Sequence, residues 1–103
     1  MDETDQRFSV GIWLVKPGRE EDFITAWGNF AKWAFDHNLG AQEAYLLQDL
    51  QQQRRFITSG PWDSIQKIEA WRQLPEFKEF FAKAKEMCDE VTPMTMKPII
   101  HLK

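Results

Sequence analysis

Residues 7 to 16, RFSVGIWLVK, are apolar on both of their alternating faces. In an extended chain Phe8, Val10, Ile12 and Leu14 fall on one side, and Ser9, Gly11, Trp13 and Val15 on the other. Water cannot back a strand of this pattern on either side, so the sheet it joins is expected to place it centrally and to need cover on both faces.

The rest of the chain supplies one kind of cover. Pro17-Gly18 ends the strand, and Glu20, Glu21 and Asp22 put negative charge where a helix N-terminus favours it. A helix is expected from there to about Asn38, stopped by Gly40. Its apolar stripe is Phe23, Trp27, Phe30 and Ala34, flanked by Ile24 and Ala31 on one side and by Ala26 and Trp33 on the other. Residues 42–50 and 54–62 read as an antiparallel hairpin around the polar link Gln51-Gln52-Gln53. Asp63 or Ser64 can cap the helical stretch IQKIEAWRQ, and Pro75 restarts the helix. Phe77, Phe80, Phe81, Ala84, Met87 and Cys88 then share a face, which places Cys88 in the core. A last strand is expected over 94–102, with Met94, Met96, Ile100 and Leu102 on one side. Pro93 and Pro98 assign it to a sheet edge, because proline cannot donate to a ladder. Residues 1–6 are polar and are expected to form a disordered N-terminus ahead of a single domain over 7–103.

The order strand, helix, strand, strand, helix, strand is the split βαβ arrangement of an α+β, ferredoxin-like domain with a four-stranded antiparallel sheet. Two helices cover only one face of such a sheet. A second copy of the chain is the simplest cover for the face carrying Val10 and Ile12, so a homodimer packed through its sheet faces is expected.

Charge and length narrow the function. Thirteen Lys and Arg against 16 Asp and Glu leave a formal charge of -3, which offers no basic field for nucleic acid. No apolar run approaches the roughly 20 residues of a membrane helix. The acidic start has neither the basic end nor the apolar run of a signal peptide, and one Cys cannot form an internal disulfide, so a cytoplasmic location is expected. No Walker, dinucleotide, GxSxG or HExxH pattern is present, and two His and one Cys on separate elements give no metal-ligand spacing.

The aromatic residues carry the functional signal. Five Trp and eight Phe are heavy for a domain of 103 residues. Trp13, Trp27, Trp33, Trp62 and Trp71 are placed to converge between sheet and helices, either as plain core or as the wall of a pocket for a flat apolar ligand. His37, near the end of the first helix on its Trp33 and Phe30 side, is the candidate general base; the competing reading is that it complements the negative end of the helix. His101 reads as an exposed strand residue. Arg72, beside Trp71, either meets an anionic group at the pocket mouth or lies on the surface.

The strings VKPGREEDFITAWGNFAKW and SGPWDSIQKIEAWRQLPEFKEFFAKA, with the strand order around them, resemble the antibiotic biosynthesis monooxygenase family of dimeric α/β barrel proteins. That resemblance covers nearly all of residues 7–103 and implies a monooxygenase that oxidises a phenol, hydroquinone or anthrone with molecular oxygen, without metal, flavin or haem. It implies that Trp62, which matches a cavity tryptophan of the family, faces a substrate pocket; with side chains alternating along the strands, that pocket is expected between sheet and helices, walled by Trp13, Trp62, Trp71 and Phe81 with Thr58 and His37 as polar contacts. Where the quinone-forming branch has asparagine, tyrosine and arginine, this chain has Thr58, Ile68 and Phe81. A haem-degrading branch of the family is matched at Trp71, but Gly11 stands in place of its asparagine and Phe81 in place of its histidine ligand, so haem degradation is disfavoured. The competing function is a non-catalytic ligand-binding or structural barrel.

Overall fold

A computed structural model describes residues 5–103. The expected disordered N-terminus lies outside the described residues except at Asp5 and Gln6, where Gln6 Nε2 donates to Gln42 Oε1 at 2.7 Å. The elements run β1 (Arg7–Val15), α1 (Glu20–Asp36), β2 (Tyr45–Gln48), β3 (Arg55–Trp62), α2 (Ile65–Gln73), α3 (Pro75–Glu86) and β4 (Cys88–Met96). All pairings are antiparallel in the order β2-β3-β1-β4, so the fold is the α+β, ferredoxin-like one.

β1 is central, as its two apolar faces require. Its odd-numbered face is sealed towards its end, with Trp13 5% and Val15 0% exposed, whereas Ile12 on the even-numbered face remains 38% exposed. Rings from the helices account for the difference. Phe23 of α1 packs on Trp13 and on Phe56 of β3 at centroid separations of 5.1 and 5.3 Å, and Phe80 and Phe81 of α3 meet Trp13 edge-on. Together with Val15, Ala84, Met87 and Cys88 they make one contiguous core.

α1 stops two residues before its expected end. Asn38 takes the left-handed conformation at φ 52°, ahead of Gly40 at φ 122°, and His37 caps the helix. Between α2 and α3, Leu74 is extended at ψ 143°, the conformation forced on a residue before proline. Of the two candidate caps of α2 it is Ser64 that accepts from the Lys67 amide, at 3.2 Å. Asp63 pairs instead with Lys67 Nζ at 3.0 Å and accepts from Gln42, contacts that hold its carboxyl below the usual range.

Two strands differ from expectation. β2 spans only Tyr45–Gln48 of the expected 42–50, because the chain rides over β3 before it joins the ladder. A Cβ on Gly60 would strike the Glu43 carbonyl oxygen, and the only pairing earlier in this segment is an isolated bridge from Ala41 to Trp62. β4 covers Cys88–Met96 rather than 94–102. Its register against β1 sets the limits: Cys88 lies opposite Val15, the last residue of β1, and Met96 opposite Phe8, one residue from its start at Arg7. Ile100 and Leu102 therefore lie beyond the strand, 78% and 86% exposed, and His101 between them is exposed but in no strand. The edge position of β4 and the outward side shared by Met94 and Met96 are as expected. Cys88 is buried as expected, but as the first residue of β4, since α3 ends at Glu86. Burial, with Asp89 adding to it and Lys16 opposing, pushes its thiol up to about 11.

Candidate functional site

The inward face of β1 and β3 reads, pair by pair, Trp13 with Phe56, Gly11 with Thr58, Ser9 with Gly60, and Arg7 with Trp62. Bulky rings thus lie at both ends of a row whose middle holds Gly, Thr, Ser and Gly. Small residues under a layer of helices leave space, and two adjoining cavities occupy it.

The first, about 60 Å³, lies between Thr58, Gly60 and Trp62 of β3, Trp27, Phe30 and Ala34 of α1, and the Ala41–Ala44 segment. The second, about 40 Å³, lies between Gly11 and Trp13 of β1, Phe77, Phe80 and Phe81 of α3, and Arg72. Ser9, Trp27, Phe30, Thr58 and Trp71 line both. Overhead the rings form a stack: Phe30 lies parallel to Phe80 at 4.4 Å and to Trp71 at 5.8 Å, and Trp71 also touches Trp62 at 4.5 Å and Phe77 at 4.7 Å.

Polar groups are few and unevenly satisfied. Thr58 is 9% exposed, and its Oγ1 accepts from Trp13 Nε1 at 3.1 Å. Gly11 makes that bond possible, since a Cβ there would stand 2.8 Å from both of its atoms. The indole N–H of Trp71 is sealed from solvent and has no hydrogen-bond partner among the described residues, a condition that costs a buried donor about 1–3 kcal/mol. The half-buried Arg72 donates to Thr95 Oγ1 at 2.6 Å, to the Met94 carbonyl at 3.0 Å and to Ser9 Oγ at 3.3 Å, all neutral acceptors. Burial pulls its pKa down from the ordinary arginine value while Glu69 opposes the shift, and the group stays charged. Glu43, on the rim of the larger cavity, accepts from the Tyr45 hydroxyl at 3.0 Å.

Trp13, Thr58, Trp62, Trp71 and Phe81 are thus all brought to cavity walls, with Trp62 confined to the larger cavity and Trp13 and Phe81 to the smaller. His37 is not brought there. It is exposed, lines neither cavity, sets Nδ1 2.9 Å from the Trp33 carbonyl oxygen and packs its ring on Trp33, the placement of a helix-end residue. Trp33 stands outside both cavities as well, stacked on Phe30 at 5.8 Å. Arg72 belongs to the mouth, where it ties α2 to β1 and β4. Two wall residues, Ser9 and Glu43, escape a reading of sequence alone: Ser9 is one small polar residue in an apolar strand, and Glu43 reaches the site only because its segment crosses Gly60.

Among the described residues no group of three or more His, Cys, Asp or Glu is placed to hold a metal ion, and no helix is long and apolar enough to cross a membrane.

The family model for antibiotic biosynthesis monooxygenases matches residues 10–83. A search among curated proteins gives no significant match. Among solved structures, a conserved protein from Methanosarcina mazei Go1 is similar at TM-score 0.83 and 17% identity, covering 92% of this chain and 94% of its own. A candidate antibiotic biosynthesis monooxygenase from Bordetella bronchiseptica gives TM-score 0.78 and 18% identity over 93% of this chain and 99% of its own. Another from Caulobacter crescentus CB15 gives 0.84 and 11% over 94% and 92%. At such identities these structures speak for the fold alone.

Proposed function

The chain belongs to the antibiotic biosynthesis monooxygenase family, and from that premise we propose that it is a cofactor-independent monooxygenase that oxidises a small aromatic phenol, hydroquinone or anthrone with O2. The observation that carries the reading is the position of the cavities, over the small residues of β1 and β3 and under a stack of aromatic rings. In the simplest reaction a phenol with a free para C–H takes one atom of O2 as the new quinone oxygen. The other atom leaves as water with the C–H and O–H protons, and the four electrons that reduce O2 come from the ring. The chain's task is to hold the ring between Trp62, Trp71 and Phe81, to exclude water and to favour the ionised phenol, which is the form that reduces oxygen.

The cavities bound the substrate. Both are far below the roughly 150 Å³ that hosts benzene in an apolar core. Admission of even one ring requires the half-buried Phe30 or Trp71 to swing, so single-ring substrates are favoured over polycyclic ones. Among the described residues no His, Cys or Asp lines either cavity and Glu43 is the one carboxylate on their walls, so the acidity of the substrate itself supplies most of the proton removal. Haem chemistry fits these residues poorly: Phe81 offers no ligand atom, and any side chain at Gly11 would collide with the Trp13–Thr58 bond.

Oxygen uptake with a panel of phenols, hydroquinones and anthrones tests the proposal. Uptake with a single-ring member and a quinone product is expected. Binding without uptake across the panel would overturn it in favour of the second reading, a ligand-binding barrel without catalysis, which the scarcity of acid and base groups favours.

The same reading includes a cytoplasmic homodimer formed through the sheets. Its support is the outward face of the sheet, where Ile12, Leu47, Tyr45, Ile57 and Met96 are each 36% exposed or more, a concentration of large exposed apolar side chains that burial against a second copy would cover. Light scattering is expected to give about twice the chain mass, and Ile12→Glu to return it to one, since burying an unpaired carboxylate costs several kcal/mol. A wild-type monomer would remove the dimer from the proposal.

A further inference from the structure

The two cavities share Ser9, Trp27, Phe30, Thr58 and Trp71 but differ in the charge on their rims. Glu43 stands on the larger and Arg72 on the smaller. At the smaller one, Arg72 stands beside two hydrogen-bonding features that belong to the wall both cavities share. The Trp71 N–H is buried without an acceptor among the described residues. Thr58 Oγ1 receives the Trp13 N–H, and its own hydroxyl proton has no acceptor among the described residues. The Arg72 guanidinium, half-buried, spends its donors on a carbonyl and two hydroxyls and on no carboxylate. Donors in excess of acceptors, with a cation at the edge of an apolar chamber, are complementary to an anion and a poor fit to a neutral hydrocarbon.

We propose that the Arg72 side of the chamber is an oxyanion site, in which an aromatic ligand presents an ionised oxygen, a phenolate or an enolate, to the Trp71 indole N–H with Arg72 as its counter-charge. The proposal rests on the reading that the chamber admits a small aromatic, and it adds the form in which the ligand is held and the end at which its oxygen sits. Glu43 repels the same oxygen from the opposite rim, so the ligand has one orientation, with its charged atom towards α2 and its ring under Phe30. Trp71 acts here as a hydrogen-bond donor in addition to a wall, and a charge-assisted bond to it relieves the cost of its unpaired N–H.

The test uses 4-nitrophenolate, at a pH where it is ionised, against its methyl ether 4-nitroanisole, which has the same ring and no charge. Wild-type protein is expected to bind the phenolate about tenfold or more tighter than the ether. A donor and a cation at the phenolate oxygen stabilise the charge where it resides in the ground state, so the visible band of the bound phenolate is expected to lie to the blue of its position in an apolar solvent. Trp71→Phe keeps a ring and removes the N–H. It is expected to weaken the phenolate about tenfold or more, to shift its band to the red, and to change ether binding by less than about threefold. Should Trp71→Phe fail to fold, Arg72→Gln, on the rim, is expected to give the same selective loss.

Equal binding of the two probes to wild type, or equal losses for both in the variants, would overturn the oxyanion site. Binding of the ether with no preference for the phenolate would leave the aromatic chamber standing, whereas binding of neither would remove the chamber as well. Oxygen uptake is a separate readout, so an inert protein with a phenolate preference would refute the monooxygenase and keep the oxyanion site.

Discussion

At the Trp13 end of the interior, Val15, Phe23, Phe56 and Ala84 have no more than 1% of their surface exposed, and the one indole N–H present has its acceptor in Thr58. At the Trp71 end the residue types are the same, but Trp27, Phe30, Trp71 and Phe77 are each only half-buried, one cavity lies there and a second between the two ends, and the indole N–H has no acceptor among the described residues. Aromatic content does not separate the two ends. What separates them is the strand residue beneath each ring: Phe56 and Val15 fill the floor at one end, and Gly11, Ser9 and Gly60 leave it open at the other. Dense packing with every donor satisfied stabilises the fold; rings over a small-residue floor, with one donor unpaired, leave a place for something else.

Deleting one ring at each end gives the largest expected effect. Phe23→Ala should cost about 3–5 kcal/mol, a transfer loss plus a cavity that rigid neighbours cannot fill. Phe30→Ala, half-exposed beside existing space, should cost about 1–2 kcal/mol and should tighten binding of a single-ring ligand by enlarging the chamber. Urea unfolding of the two variants checks the first pair of numbers, and equal losses would erase the distinction between the ends.

Gly11→Ala strikes the boundary between them. Its Cβ would stand 2.8 Å from Thr58 Oγ1 and from Trp13 Nε1, so the bond that closes the sealed end must open or the strands must shift. A loss of about 1–3 kcal/mol is expected. Thr58→Val in the same background should then add little, because the bond it removes is already broken; full additivity in a double-mutant cycle would show the bond intact.

The smallest effect sharpens the sealed end through pH. The Cys88 thiol stays protonated in the fold up to about 11, above its unfolded value. Its contribution to stability is therefore complete below the unfolded pKa of about 9 and is lost as the pH rises through about 11. Native protein near neutral pH should react with a thiol reagent only as fast as it unfolds, and Cys88→Ala should show a shallower alkaline loss of stability. Fast labelling of the folded protein would mean that this end is open too.

Sequence periodicity carried as far as local pattern reaches. The two faces of β1, the stripe of α1, the hairpin, the break at Pro75 and the edge placement of β4 were legible because each depends on residues within a few positions of one another. The limits of β4 were not. Apolar alternation over Met94–Leu102 reads as well as the strand that forms, and only the extent of β1, whose first residue is Arg7, decides where the ladder stops. Trp13, Thr58, Trp71 and Phe81 could be assigned to a wall once the family resemblance had set Trp62 in a cavity, because strand alternation and helical spacing then fix which neighbours share its side. Whether His37 belonged with them depended on where α1 ends and how it turns, which tertiary contacts set.

What the sequence by itself determined is which faces are apolar, in what order the elements come, and that aromatic rings exceed the needs of a small core. Only the tertiary structure decided where among those rings the space would lie. A cavity is a property of residues placed opposite one another, and Gly11 with Thr58, Ser9 with Gly60, and the Glu43–Ala44 segment over Gly60 are neighbours only across strands or across a loop crossing. The unpaired Trp71 N–H has the same origin. Its lack of an acceptor follows from what α2 meets once it docks on the sheet, and no stretch of sequence around Trp71 records that.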